Sequence, residues 1–498
     1  LTEPQIDIPA VPLADSRPES QMDRVLTACA GGFASCLAWL PSLATPYWGN
    51  DLARLAQVKS LLVDGASWEE STRALSLEGS SILGAIWWRI LAASPTPNPQ
   101  LAHICGLIIH LMSAAMVGVL VGGVLRCIAP TRQAARAGSL AAFLYGIHPG
   151  HFYALQTADG AMGSLFAFGA AAALLASLPS DTETVSFRDF QRGTFALVAS
   201  LIASSAAPFT AIVLPLAALA LNRLARPAAV LPRRACVTYV LWTAMLAAAA
   251  FASYNTGGLH AGSMLRSSLE VVGGAIGVPG ESIRRLVQGH WISALVMALV
   301  CGGIQVVVLS SSAFWARNIL PPNQGGSALR LALFTGFLVL LIPGGELARI
   351  HLLLIGVALV IGLAFAVRLR AKALLVIVSI VGALFANEFE RLSPWPAAME
   401  RARVSASVTS SMNEWQLEER RLRGEITRVF VICADEVLWE SLGGTRGVAA
   451  ALRVDRQDLV RTDRIPIEPF EGAAIVELTY ASARTPARTP PPEPSRAP

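Results

Sequence analysis

The sequence predicts an all-α polytopic membrane protein of about eleven transmembrane helices with a small extracytoplasmic α/β domain near its C-terminus. Three observations carry that prediction. Of 498 residues, 54% are hydrophobic and 15% are charged. The mean hydropathy of +0.53 is far above that of a soluble domain, whose surface needs polar cover. The apolar residues also fall in blocks of roughly 15–25, the length a helix needs to cross about 30 Å of hydrocarbon. From about residue 389 the chain turns more polar and strand-like, which sets the last segment apart.

In chain order, the predicted spans are 23–45, 101–126, 134–152, 157–178, 193–206, 208–222, 235–254, 291–311, 327–343, 350–367 and 373–388. Residues 1–22 are polar and partly acidic, so the first apolar block lacks the basic flank of a cleaved signal and is expected to be retained. Orientation follows from the basic residues, which concentrate in cytoplasmic loops. Arg126, Arg132 and Arg136 mark one such loop; Arg223, Arg226, Arg233 and Arg234 a second; Arg368, Arg370 and Lys372 a third. The N-terminal segment 1–22 is then cytoplasmic. The loop 46–100, the turn from His148 to Asp159, the loops 255–290 and 344–349, and the C-terminal end lie on the opposite side. Richness in alanine and arginine with little lysine fits a GC-rich bacterial genome, hence an inner membrane with the C-terminus in the periplasm.

Within the first exported loop, 52–62 and 80–92 are too short to span and read as helices lying on the bilayer, with Trp87 and Trp88 at headgroup level. The transmembrane domain ends near 388. A charged stretch at 399–425 reads as helix, and VFVIC at 429–433 and AAIVELTY at 473–480 read as strands, giving the small α/β domain over 389–482. Residues 483–498 are proline-rich and are expected to be disordered.

The net charge of +5 does not imply nucleic acid as a partner, because the arginines separate apolar blocks instead of forming one basic face. The seven cysteines show no CxxC or Cys/His spacing, so neither a disulfide framework nor a zinc site is implied. No Walker loop, GxGxxG loop, HExxH or GxSxG elbow occurs in a supporting context.

Ionisable residues beside membrane helices are the candidates for chemistry. Asp51, in TPYWGNDLARLAQVKSLLVDG, follows the first span; it is suited to a general base toward a hydroxyl, or else to capping the next helix. His148, Pro149, Gly150 and His151 break one apolar helix shortly before Asp159 starts the next. Two imidazoles and a carboxylate thereby meet in one exported turn, as a polar site or as interface residues. Glu346, Arg349 and His351 stand at the mouth of a later helix, where Arg suits a phosphate and the alternative is an interfacial anchor or an internal Glu346–Arg349 pair. His103 and His110, seven residues apart, share a helix face two turns apart, too far for one metal ion and suited to contacts with neighbouring helices or loops. In 255–290, Arg266, Glu270, Arg284, Arg285 and His290 could meet an anion or simply solvate the loop.

Taken in order, these segments resemble the GT-C superfamily of membrane glycosyltransferases, nearest to the transmembrane-and-TPR O-mannosyltransferase branch and its bacterial relatives. The resemblance covers roughly 24–370 and lies in Asp51 after the first span, His103 with His110, AAFLYGIHPGH, ADGAMGSLFAF and ELARIHLLLIGVAL. It implies a polyprenyl-phosphate sugar as donor and a protein, lipid or glycan acceptor on the exported side. It also implies Asp51 as base, Arg349 on the lipid phosphate, and His148, His151, Asp159, His103, His110 and Glu346 lining the pocket. A divalent metal is left open as a cofactor. The chain departs from that pattern with Asn50 before Asp51, Tyr153 after the HPxH segment, and no TPR array. A non-catalytic membrane subunit holding membrane protein partners through the C-terminal domain is the alternative. A transporter is disfavoured by the lack of an evident charge pathway at mid-membrane.

Overall fold

The computed structural model describes residues 21–47, 50–63, 66–71, 82–93, 98–128, 133–178, 213–225, 271–275, 339, 346–366, 372–392, 408, 412, 428–433, 438–439, 442, 444–452, 454, 458–462 and 473–478. Helix α1 (Gln21–Cys36) runs into a 3-10 segment, Leu37–Ala44, that accommodates Pro41. After it come two short helices, α2 (Asn50–Val63) and α3 (Ile82–Ala93). Helix α4 (Pro99–Ile128) is the longest described, 30 residues, or about 45 Å at 1.5 Å per residue. It starts where Asn98 Oδ1 accepts the Gln100 N–H at 2.9 Å and Pro99 occupies the first turn, where its missing N–H costs nothing.

Helices α5 (Gln133–Gly146) and α6 (Gly160–Ser177) complete a bundle with α1 and α4. Its core holds Leu120, Val124, Tyr145, Phe166 and Leu354, among others. The α4–α5 contact is close because both sides present glycine. A Cβ on Gly118 would lie 2.6 Å from the Gly138 carbonyl oxygen, and one on Gly138 would lie 2.5 Å from that of Gly118. Helices α7 (Val213–Ala225), α8 (Glu346–Ala366) and α9 (Lys372–Leu392) pack around this core, α7 against α6 and α8 against α5 and α6.

Among the described residues, three helical stretches are long and apolar enough to cross a membrane: Val25–Ala44, Pro99–Cys127 and Gly160–Ser177. Their outward faces are apolar as well. On α4, Leu101, Ile104, Ile108 and Met112 are exposed at helical spacing, and on α9 so are Ile377, Val381, Leu384 and Phe385. Water would not favour such stripes; hydrocarbon accepts them. The chain is an integral membrane protein.

The expected span 134–152 is shorter than predicted. Its helix stops at Gly146 and gives way to a 3-10 turn at Pro149–His151, because Pro149 lacks the N–H that would continue the ladder. The apolar stretches Arg349–Gly362 and Val376–Glu388 fall short of full span length, as does α7 with 13 residues. The expected spans 193–206, 235–254, 291–311 and, apart from residue 339, 327–343 lie outside the described residues. So do 1–20, the tail from 479, most of 255–290 and, apart from Val408 and Met412, the helix expected over 399–425.

The C-terminal domain contains a three-stranded parallel sheet, β1 (Arg428–Ile432), β2 (Leu459–Thr462) and β3 (Ala473–Glu477), in the order β2-β1-β3. Val429 pairs with Leu459 on one side and Ala474 on the other. Parallel neighbours require a crossover, and α10 (Gly444–Leu452) supplies it between β1 and β2. Val429, Val431, Val448, Leu452 and Val476 form its core. The Arg461 guanidinium lies over the Trp439 ring, 4.9 Å from its centre, and donates to the Cys433 carbonyl. Helix α10 also packs against α2.

Candidate functional site

Two helix starts and a helix break build the site. Asp51 lies in the first turn of α2, and the Pro149–His151 turn, the single turn Phe152–Leu155 and the start of α6 bring residues 156–159 against it. Asp51 is buried. Its Oδ2 accepts the Ala158 N–H at 3.0 Å, while its Oδ1 has no hydrogen-bond partner among the described residues. It does not cap its own helix. The carboxyl is pushed up to about 8, first by burial and then by the Asp159 charge, against the lowering influence of the Ala158 N–H and of Arg54. Tyr47, held by its O–H to the Asn98 carbonyl at 3.1 Å, is also raised, by burial and by Asp51.

Asp159 precedes α6 but makes no side-chain cap. Its Oδ1 instead accepts from the Arg54 guanidinium at 2.5 Å and from the Trp88 indole at 2.8 Å. The Trp87 indole donates to the Ala158 carbonyl at 3.0 Å. Trp88 is therefore not a headgroup anchor. Trp88 is fully buried and closes the site, because a buried indole N–H needs an acceptor and Asp159 supplies one. Arg89 holds the neighbouring turn in place by stacking over Trp68 at 4.4 Å and donating to the Ser67 carbonyl.

A second cluster lies at the other end of the 148–159 segment. His151 is buried between His110, at 4.6 Å between ring centres, and His351, at 4.8 Å. Tyr145 lies against His151 at 4.7 Å, with its hydroxyl 2.9 Å from His351 Nδ1. His110 Nε2 meets the Gly146 carbonyl at 3.0 Å, and His148 Nδ1 accepts the Gly150 N–H at 3.1 Å. His103 is buried beside the Thr45 and Leu155 backbone. The expected contacts of His103 and His110 with neighbouring loops are thus present.

The structure groups Asp51 with Asp159, and His110 with His148, His151 and His351. Arg349 is on α8, two residues before His351, and is buried instead of standing at an open rim. Glu346 begins α8, but its side chain lies outside the described residues. Sequence reasoning does not single out Arg54, Trp88 or Tyr145 for the site. Arg54 was visible one turn after Asp51; the others carry no local signal. Among the described residues no group of three or more His, Cys, Asp or Glu is placed to hold a metal ion.

Fold and site together define a helical membrane protein with a buried carboxylate in the first turn of α2, bound through one oxygen. No protein-family model matches the chain, and no curated protein matches it. Among solved structures it is similar to the crystal structure of the Archaeoglobus fulgidus oligosaccharyltransferase in complex with Zn and sulfate. The identity is 13% and the TM-score 0.41, over 86% of this chain and 61% of that one. The chain thus spans less than two thirds of that protein's length. The roles of its residues rest on its own geometry.

Proposed function

We propose that the protein is a GT-C-like membrane glycosyltransferase that moves a sugar from a polyprenyl-phosphate donor to an acceptor on the exported side. The observation that carries this reading is Asp51: one oxygen is fixed by the Ala158 N–H and the other has no hydrogen-bond partner among the described residues, beside the Arg54–Asp159 pair that Trp88 also holds. A carboxylate so held is preorganised to accept a proton.

In the reaction, Asp51 takes the proton of the acceptor hydroxyl. The acceptor oxygen attacks the anomeric carbon as the bond to the phosphate oxygen breaks, and polyprenyl phosphate leaves with inversion. Arg349 is assigned to that phosphate, by charge and by its place on α8. The other carboxylate beside Asp51 among the described residues is Asp159, held by Arg54 and Trp88.

The test is transfer of labelled sugar from a panel of polyprenyl-phosphate sugars to membrane extracts, comparing the purified protein with Asp51→Asn. Transfer lost in the variant supports the reading. A non-catalytic subunit is the second reading, favoured by the packing of the C-terminal domain's α10 on α2. Absence of transfer by both proteins, with donor binding intact, would select it.

A further inference from the structure

Helix α3 is apolar on two opposite faces. Gly84, Ala85, Trp88, Leu91 and Ala92 recur at helical spacing and are buried, and through Trp88 this face holds Asp159. Leu83, Ile86, Ile90 and Ala93 recur at the same spacing on the other side, where Ile90 is 58% exposed and Ala93 is exposed as well. Its 12 residues make about 18 Å of helix at 1.5 Å per residue, too little to cross about 30 Å of hydrocarbon. A short helix with an open apolar face calls for cover, from protein or from the boundary of a bilayer.

Next to α3 stands Trp68, 50% exposed, on a single helical turn at 68–71. That turn is firmly built. The Ser67 N–H donates to Glu70 Oε2 at 2.7 Å and the Glu70 N–H to Ser67 Oγ at 3.1 Å, a reciprocal cap. The Arg89 guanidinium of α3 lies over the Trp68 ring, 4.4 Å from its centre, and donates to the Ser67 carbonyl at 3.0 Å and to the Ser71 hydroxyl. A large aromatic side chain standing half in the open is thereby fixed in one orientation. An indole so placed, with an apolar body and one polar edge, suits the headgroup level of a membrane.

Two observations name lipid as the cover. Leu91, Ala92 and Ala102 share one apolar cluster, so the end of α3 that carries Ile90 and Ala93 lies at the depth of the first turns of α4, where the outward apolar stripe begins with Leu101 and Ile104. The open face of α3 thus continues a surface that already meets hydrocarbon. Helix α2, by contrast, packs on both α3 and α10, and none of its described side chains is exposed. We infer that α3 and the Trp68 turn lie in the headgroup–acyl boundary of the leaflet at the Pro99 end of α4, with Ile90 and Ala93 among acyl chains, Trp68 at headgroup level and Glu69 in water. This parts the two helices that the sequence places together on the bilayer: α3 touches lipid and α2 does not, and the anchoring indole is that of Trp68. Helix α3 then separates Asp159 from lipid by one helix diameter, about 10 Å. The placement stands whether or not the chain transfers sugar.

The experiment uses the full chain in phosphatidylcholine nanodiscs, with a nitroxide on Ile90→Cys and the native cysteines replaced by alanine. Ile108→Cys serves as the lipid reference and Glu69→Cys as the water reference, both positions being exposed. At 90, as at 108, collisions with oxygen, which concentrates in lipid, should exceed those with a water-soluble nickel chelate; at 69 the order should reverse. A second measurement leaves the cysteines in place. The emission lost in Trp68→Phe is compared between lipids brominated near the glycerol and lipids brominated near the chain ends. That share should be quenched more by bromine near the glycerol, and little by aqueous iodide. A label at 90 with the water-like order, or one shielded from both reagents as under a protein partner, would overturn the inference. Trp68 emission open to iodide and untouched by either bromolipid would overturn it as well.

Discussion

Asp51 is subject to opposing influences that substitutions can separate. Burial and Asp159 raise its pKa, while the Ala158 N–H and Arg54 lower it. A general base must be ionised, so transfer should rise with pH toward a midpoint of about 8. Arg54→Ala should move that rise to higher pH and Asp159→Asn to lower pH; a pH–rate profile with unmoved limbs would show that Asp51 is not the base. Asp51→Asn should lower the rate by roughly 10²–10⁴. Stability has its own sign. The folded-state pKa is raised from 3.8 to about 8, so this group's contribution is fully present below pH 3.8 and is lost as pH rises through 8. Thermal unfolding of the wild type should therefore fall between pH 5 and pH 9 by more than that of Asp51→Asn.

Among the elements, α4 and α5 show how small side chains set spacing. Gly138→Leu would drive a branched side chain into the Gly118 carbonyl and should cost about 1–3 kcal/mol or force the helices apart, as read by thermal unfolding in detergent. Much of this level was legible in the sequence. The apolar blocks predict the long helices, and β-branched runs predict strands at 429–433 and 473–480, where β1 and β3 are found at 428–432 and 473–477. Strand β2 escaped because LVRT is short and half polar, and α10 because GTRGVAAAL opens with two glycines among its first four residues. Asp51, Asp159 and the histidines stood out because ionisable groups are rare in an apolar chain. Trp88 and Tyr145 did not, because each acquires its role only from a residue many positions away.

For the whole molecule, the distribution of basic residues predicts which side of the membrane each end occupies. Cys127 is exposed at the end of α4, beside the basic cluster begun by Arg126. In a variant whose only cysteine is Cys127, a membrane-impermeant maleimide should react from the cytoplasmic face and not from the exported one. Labelling from the exported face would invert the orientation and with it the placement of Asp51. That orientation leaves hydrocarbon against α4 and α9, where the apolar stripes face outward.

The packing of α10 on α2 sets a timetable for biogenesis. Roughly 400 residues separate the two helices, so at 5–20 residues per second a ribosome makes α10 about 20–80 s after α2. For that interval the helix bearing Asp51 is without its neighbour. The finished architecture therefore acts as a delay on maturation, with the first loop synthesised early and locked late. In a pulse–chase experiment, resistance of the 50–63 segment to protease should arise only after the C-terminal domain has emerged, and early resistance would show that α2 is secured without it.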